Sequence, residues 1–118
     1  MTERKIPVII PAYEPDERLL TLLEALRKAG IENIILVNDG SPKTYDSLFA
    51  RAEKEYGALV LTHAVNLGKG RALKTAFNEC LLRCPDAPGC ITADSDGQHT
   101  PSCILRCMER MEERPEAL

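Results

Sequence analysis

Asn33-Ile34-Ile35-Leu36-Val37-Asn38-Asp39-Gly40-Ser41-Pro42 is a continuous aliphatic run that empties into a polar turn. Four aliphatic residues without alternation read as a strand buried on both faces, which points to a parallel sheet rather than a half-exposed antiparallel one. Ser41 has the side chain of a helix N-cap and Pro42 suits the first helical position, so the turn predicts a strand passing directly into a helix. In that helix Tyr45, Leu48, Phe49, Ala52 and Tyr56 recur at helical spacing, and Gly57 ends it.

The same pattern lies on either side. Ile6-Pro7-Val8-Ile9-Ile10-Pro11-Ala12 reads as a buried strand; Pro7 is tolerable at its start, whereas Pro11 is expected to end the ladder by removing a donor. Leu19, Leu22, Leu23 and Leu26 mark one face of a helix from Asp16 to Ala29, closed by Gly30. A third strand, Ala58 to Val65, leads through Asn66-Leu67-Gly68-Lys69-Gly70-Arg71 into a helix whose face is Ala72, Leu73, Ala76, Phe77 and Cys80. After a loop at 85–89, a fourth strand runs into Ala93-Asp94-Ser95-Asp96-Gly97-Gln98-His99. Thr100-Pro101 then opens a last helix, to about Glu113, that buries Ile104, Cys107, Met108 and Met111. The fold class is therefore α/β: an open parallel sheet with helices on both faces, built from four consecutive βα units in one domain, 1–118. In such a sheet the loops at 11–15, 38–42, 66–71 and 94–99 share the edge where ligands bind.

At 118 residues, 44% hydrophobic and 28% charged, the chain forms one globular domain with a single core. The net charge is −3, and no stretch concentrates lysine and arginine, which excludes a nucleic-acid backbone as the main partner. Five cysteines, an odd number, argue against a disulfide framework. Cys80 and Cys84, and again Cys103 and Cys107, stand four apart on expected helices; small buried hydrophobes are favoured over a zinc site there. No signal-peptide pattern opens the chain, and the first apolar run is far shorter than the roughly twenty residues that span a bilayer, so a cytoplasmic location is expected.

Asp94 and Asp96 follow a buried strand and suit a hard divalent cation, Mg²⁺ or Mn²⁺, which bridges carboxylates to phosphates. Gln98 and His99 extend that loop. Asp39 is either a turn-and-cap residue or an acceptor for a base or ribose, and both readings stay open. The 66–71 segment is neither a dinucleotide fingerprint, since position 73 is leucine, nor a P-loop; even so, Lys69 and Arg71 at a helix start suit an anion. Tyr13 either stacks on a nucleobase or caps the end of the sheet.

Ile10-Pro11-Ala12-Tyr13-Glu14, Val37-Asn38-Asp39-Gly40-Ser41, Asn66-Leu67-Gly68-Lys69-Gly70-Arg71-Ala72-Leu73 and Ala93 to His99 together resemble glycosyltransferase family 2, in order and in spacing, over essentially the whole chain. The last motif is most similar to the branch that makes polyprenyl-phosphate and dolichol-phosphate sugars. The resemblance implies the nucleotide-sugar-binding half of an A-type glycosyltransferase fold: metal-dependent binding of a nucleotide-diphosphate sugar for transfer to a lipid-phosphate or glycan acceptor. By that likeness Pro11, Ala12 and Tyr13 border the base, Asp39 recognises it, and Asp94 lies near the ribose and the metal. Asp96 with Gln98 holds the cation against the diphosphate, and Glu14, Lys69 and Ser95 complete the nucleotide-binding set.

Where the family commonly has Tyr-Asn-Glu, this chain has Tyr13-Glu14-Pro15. The catalytic base and the acceptor-side strands are expected beyond residue 118. The chain is thus read as an N-terminal donor-binding half, inactive alone and able to self-associate through the truncated face, from a relative acting at the cytoplasmic face of a membrane. The alternatives are a Mg-dependent phosphatase, whose Asp-x-Asp belongs after the first strand, and a phosphoacceptor signalling domain. The latter would want an aspartate where Asn66 stands.

Overall fold

The computed structural model describes residues 7–31, 33–83 and 90–93. In chain order these form β1 (Val8–Ala12), α1 (Arg18–Lys28), β2 (Ile34–Asp39), a 3-10 turn (Lys43–Tyr45), α2 (Asp46–Tyr56), β3 (Leu59–His63), α3 (Lys69–Arg83) and β4 (Ile91–Thr92). The acidic motif at 94–99, the expected helix after Pro101, and Cys84, Cys103 and Cys107 lie outside the described residues.

The sheet is parallel throughout, in the order β3-β2-β1-β4. The chain steps in one direction from β1 to β3 and then crosses back over β2 and β1 to reach β4. Because such crossovers are right-handed, that reversal puts α1 and α2 on one face and α3 on the other. The core divides accordingly. Val8, Ile10, Ile34 and Leu36 pack with Leu19, Leu20, Leu22, Leu23 and Leu26 of α1 and with Phe49 and Ala52 of α2. Ile9, Ile35 and Val37 pack with Ala72, Ala76 and Cys80 of α3. Each leucine that α1 buries contributes about 2 kcal/mol of apolar transfer, so α1 anchors the first face. The small residues of α3 let that helix lie close over the second. Phe77, expected in the core, is instead 41% exposed at the flank of α3.

Pro11 ends one ladder and not the other. Val8 donates its N–H toward β2, to the Asn33 carbonyl, whereas Pro7 and Ile9 accept from Ile91 and Ala93 on the β4 side. Residues of a parallel strand alternate sides, so the donor that Pro11 lacks faces β4, where it would have met the Ala93 carbonyl. Pairing with β2 continues undisturbed through Pro11↔Val37 and Ala12↔Asn38. Among the described residues no helix is long and apolar enough to cross a membrane.

Candidate functional site

The C-terminal ends of β1, β2 and β3 converge on a cleft of about 520 Å³. One wall is the end of β1, Pro11 and Ala12, with the segment that follows it, Tyr13, Glu14, Pro15 and Asp16, and Arg18 from the first turn of α1. Opposite stand Asp39, Asn66, Gly68 and Lys69. The cleft adjoins the point where strand order reverses between β1 and β4, the place where open α/β sheets bind ligands. Tyr13 is about half exposed at 49%, which leaves its ring available at the lip.

The β1 wall is shaped by a short-range and a long-range contact. Asp16 caps α1, accepting the Arg18 N–H at 2.9 Å, and pairs with the Arg18 guanidinium at 2.9 Å. The Arg18 side-chain bond foremost, then that N–H, holds the Asp16 carboxyl below its usual value. Glu14 takes a left-handed backbone conformation, φ 50°, and donates its N–H to Ser41 Oγ at 2.9 Å. Ser41 therefore does not cap α2, contrary to the sequence expectation. A 3-10 turn intervenes, and the hydroxyl ties the β1 loop to the β2 loop instead. Left-handed φ is unfavourable for a glutamate and tolerated by asparagine, the residue common at this slot in the resembling family. Glu14→Asn is accordingly expected to raise stability by about 0.5 kcal/mol, read as a higher urea midpoint at unchanged slope; a lower midpoint would contradict it.

The opposite wall hangs on Asp39, only 3% exposed. Its Oδ1 accepts the Leu67 N–H at 2.9 Å and faces His63 Nδ1 at 2.8 Å, and its Oδ2 accepts the Gly68 N–H at 3.0 Å. Asn66 Nδ2 donates to the Asp39 carbonyl at 3.3 Å. Burial pushes the Asp39 carboxyl up, but the bonds from Leu67, His63 and Gly68 together outweigh it, and the net shift is downward. A carboxylate offers about four acceptor positions, and the described residues take three of them, two on Oδ1 and one on Oδ2. Of the two roles left open by the sequence, these bonds show the turn-holding one.

Residues 8–118 match the family model described as Glycosyl transferase family 2. The chain belongs to glycosyltransferase family 2. Among curated proteins it is 39% identical to an uncharacterized protein of Methanocaldococcus jannaschii, over 89% of this chain and 41% of that one. It is 26% identical to UDP-N-acetylglucosamine--dolichyl-phosphate N-acetylglucosaminyltransferase of Methanococcus voltae, over 92% and 48%. A third relative is undecaprenyl-phosphate 4-deoxy-4-formamido-L-arabinose transferase of Serratia proteamaculans, 31% identical over 93% and 34%. The chain therefore spans between about a third and a half of the length of these curated relatives.

Of the family-2 site residues expected from the sequence, Pro11, Ala12, Tyr13, Glu14, Asp39 and Lys69 all line the one cleft. Asp94, Ser95, Asp96 and Gln98 lie outside the described residues. Among the described residues no group of three metal-ligating side chains gathers. Cys80 and Cys90 form no disulfide among the described residues, and burial pushes the Cys90 thiol up, partly offset by its bond with Cys80. Sequence reasoning missed His63, Ser41, Asp16 and Arg18. Asp39 and His63 are register partners on β2 and β3, so a polar residue closing each of two adjacent strands was the available signal.

Proposed function

We propose that this family-2 chain is the donor-binding half of a glycosyltransferase that takes a nucleotide-diphosphate sugar and, as the names of two relatives say of those proteins, delivers sugar to a polyprenyl phosphate. The observation that carries the reading is the cleft itself, since the end of β2 and the segments after β1 and β3 meet at the sheet's C-terminal edge, beside the strand that leads into Asp94. Within it Tyr13 offers a ring for stacking on the base, and Asp39, with one acceptor position not taken by the described residues, suits a base or ribose donor. Arg18 and Lys69 stand on facing walls, where their charges suit a diphosphate.

Asp94 follows Ala93, whose N–H bonds to the Ile9 carbonyl at 2.9 Å at the end of the β1–β4 ladder. With Asp96 and Gln98 it would hold the cation, Mg²⁺ or Mn²⁺, which when bound neutralises charge developing on the departing nucleoside diphosphate. The base that activates the acceptor would belong to the portion of the relatives that this chain does not span.

A thermal-shift screen of UDP, GDP and CDP with and without Mn²⁺, on the wild type and on Asp96→Ala, tests the reading. Stabilisation of about 2–3 kcal/mol at a hundredfold excess over Kd, dependent on Mn²⁺ and lost in the variant, is expected for at least one nucleotide. A melting temperature indifferent to all three in a folded sample defeats it. Trapping by a phosphoryl analogue instead would favour the phosphatase alternative.

A further inference from the structure

His63 stands between the site and α3. Its side chain is 10% exposed, its Nδ1 lies 2.8 Å from Asp39 Oδ1, and its Nε2 lies 2.8 Å from Thr75 Oγ1. Neither His63 nor Thr75 lines the cleft. A buried ionised carboxylate only accepts, so the Nδ1 beside it must carry a proton; a neutral ring then accepts the threonine hydroxyl at Nε2. The chain of bonds runs from α3 through the end of β3 to the end of β2, and from Asp39 on to the Leu67 and Gly68 N–H groups. Lys69, on the cleft wall, is the next residue.

We infer that His63, oriented by Thr75, is a positioning residue: it holds the Asp39 carboxylate in the one rotamer that pins residues 67 and 68, and so sets the wall that presents Lys69 to the cleft. The physical reason is competition. Asp39 Oδ1 receives both His63 and Leu67, and without the imidazole the carboxylate is free to rotate toward the cleft and release one of the two backbone donors. Hydroxyl, imidazole and carboxylate in series also build acyl-transfer triads. Here, however, the hydroxyl does not border the cleft and the carboxylate is shared with two peptide N–H groups, so the series positions rather than attacks.

The functional half of the inference rests on the donor-cleft reading; the structural half does not, and the test separates them. Amide hydrogen exchange at Leu67 and Gly68 is compared with that at Leu36 and Val37 in the core of β2, alongside nucleoside-diphosphate affinity and the ¹⁵N spectrum of the imidazole. An asparagine amide reproduces the Nδ1 donor and a glutamine amide the Nε2 position. His63→Gln is therefore expected to speed exchange at Leu67 and Gly68 by about tenfold or more, the worth of a bond to a charged group, and to weaken nucleotide binding by a similar factor. The core amides should stay at wild-type rates. His63→Asn should keep most of the protection, Thr75→Val should lose part of it, and Thr75→Ser should restore it.

Unchanged exchange at Leu67 and Gly68 in His63→Gln overturns the inference, as does equal acceleration at all four amides or a ring unprotonated at Nδ1. If the wild type binds none of the nucleotides, the donor reading fails alone, and the exchange rates still decide the role of His63.

Discussion

Gly40→Ala is expected to destabilise the protein by about 3 kcal/mol or more, the combined effect of a left-handed backbone and an overpacked contact. Gly40 has φ 75°, and a methyl group built there falls inside van der Waals contact of the Asn66 amide nitrogen and the Val65 carbonyl carbon, and 2.6 Å from the Val65 carbonyl oxygen. All three are backbone atoms, so no side chain can swing aside. The β2 loop and the segment after β3 touch only because nothing projects from Gly40, and the Asp39 bonds to Leu67 and Gly68 depend on that approach. Gly68→Ala is the control. It shares a positive φ, 95°, but its added methyl meets nothing within 4 Å, so the expected loss is only about 1 kcal/mol. Urea unfolding of the two variants should separate them by roughly 2 kcal/mol; equal losses would mean that backbone conformation alone, not the close approach, makes Gly40 necessary.

Asp39→Asn is expected to cost about 3 kcal/mol at pH 7. Asparagine presents one acceptor oxygen where the carboxylate presents two, and its amide nitrogen would face one of the N–H groups of Leu67 and Gly68, donor against donor. The loss has a pH signature. The Asp39 carboxyl is lowered from an ordinary value of 3.8, so its stabilising contribution is complete above that value and disappears as the pH falls below it, through the folded-state value. Unfolding free energy followed from pH 6 downward should therefore fall less steeply below about pH 4 in Asp39→Asn than in the wild type. Parallel acid limbs would show that the three donors do not favour the ionised form.

Much of this was legible without coordinates. Uninterrupted aliphatic runs at 8–10 and 34–37 mark strands buried on both faces, and the leucines of α1 and the mixed apolar face of α2 fall where helical spacing puts them. Pro11 was only half legible: a missing donor has a direction, and which neighbour it faces depends on where β4 joins the sheet. Ser41 followed the local statistics of caps, yet the Glu14 N–H, distant in sequence, takes its hydroxyl. Phe77 fits the period of α3 but falls at its flank, because the small residues beneath the helix set its rotation over the sheet.

By itself the sequence determined the parallel α/β architecture and the gathering of polar loops at one edge, because burial and helical periodicity are properties of short stretches, and right-handed crossovers leave few ways to join them. Only the tertiary structure decided what Asp39 holds. Leu67, Gly68 and His63 are its partners through the register of β3 against β2 and the bare backbone of Gly40. A hydrogen bond between residues 24 to 29 apart depends on tenths of an ångström that no local pattern encodes.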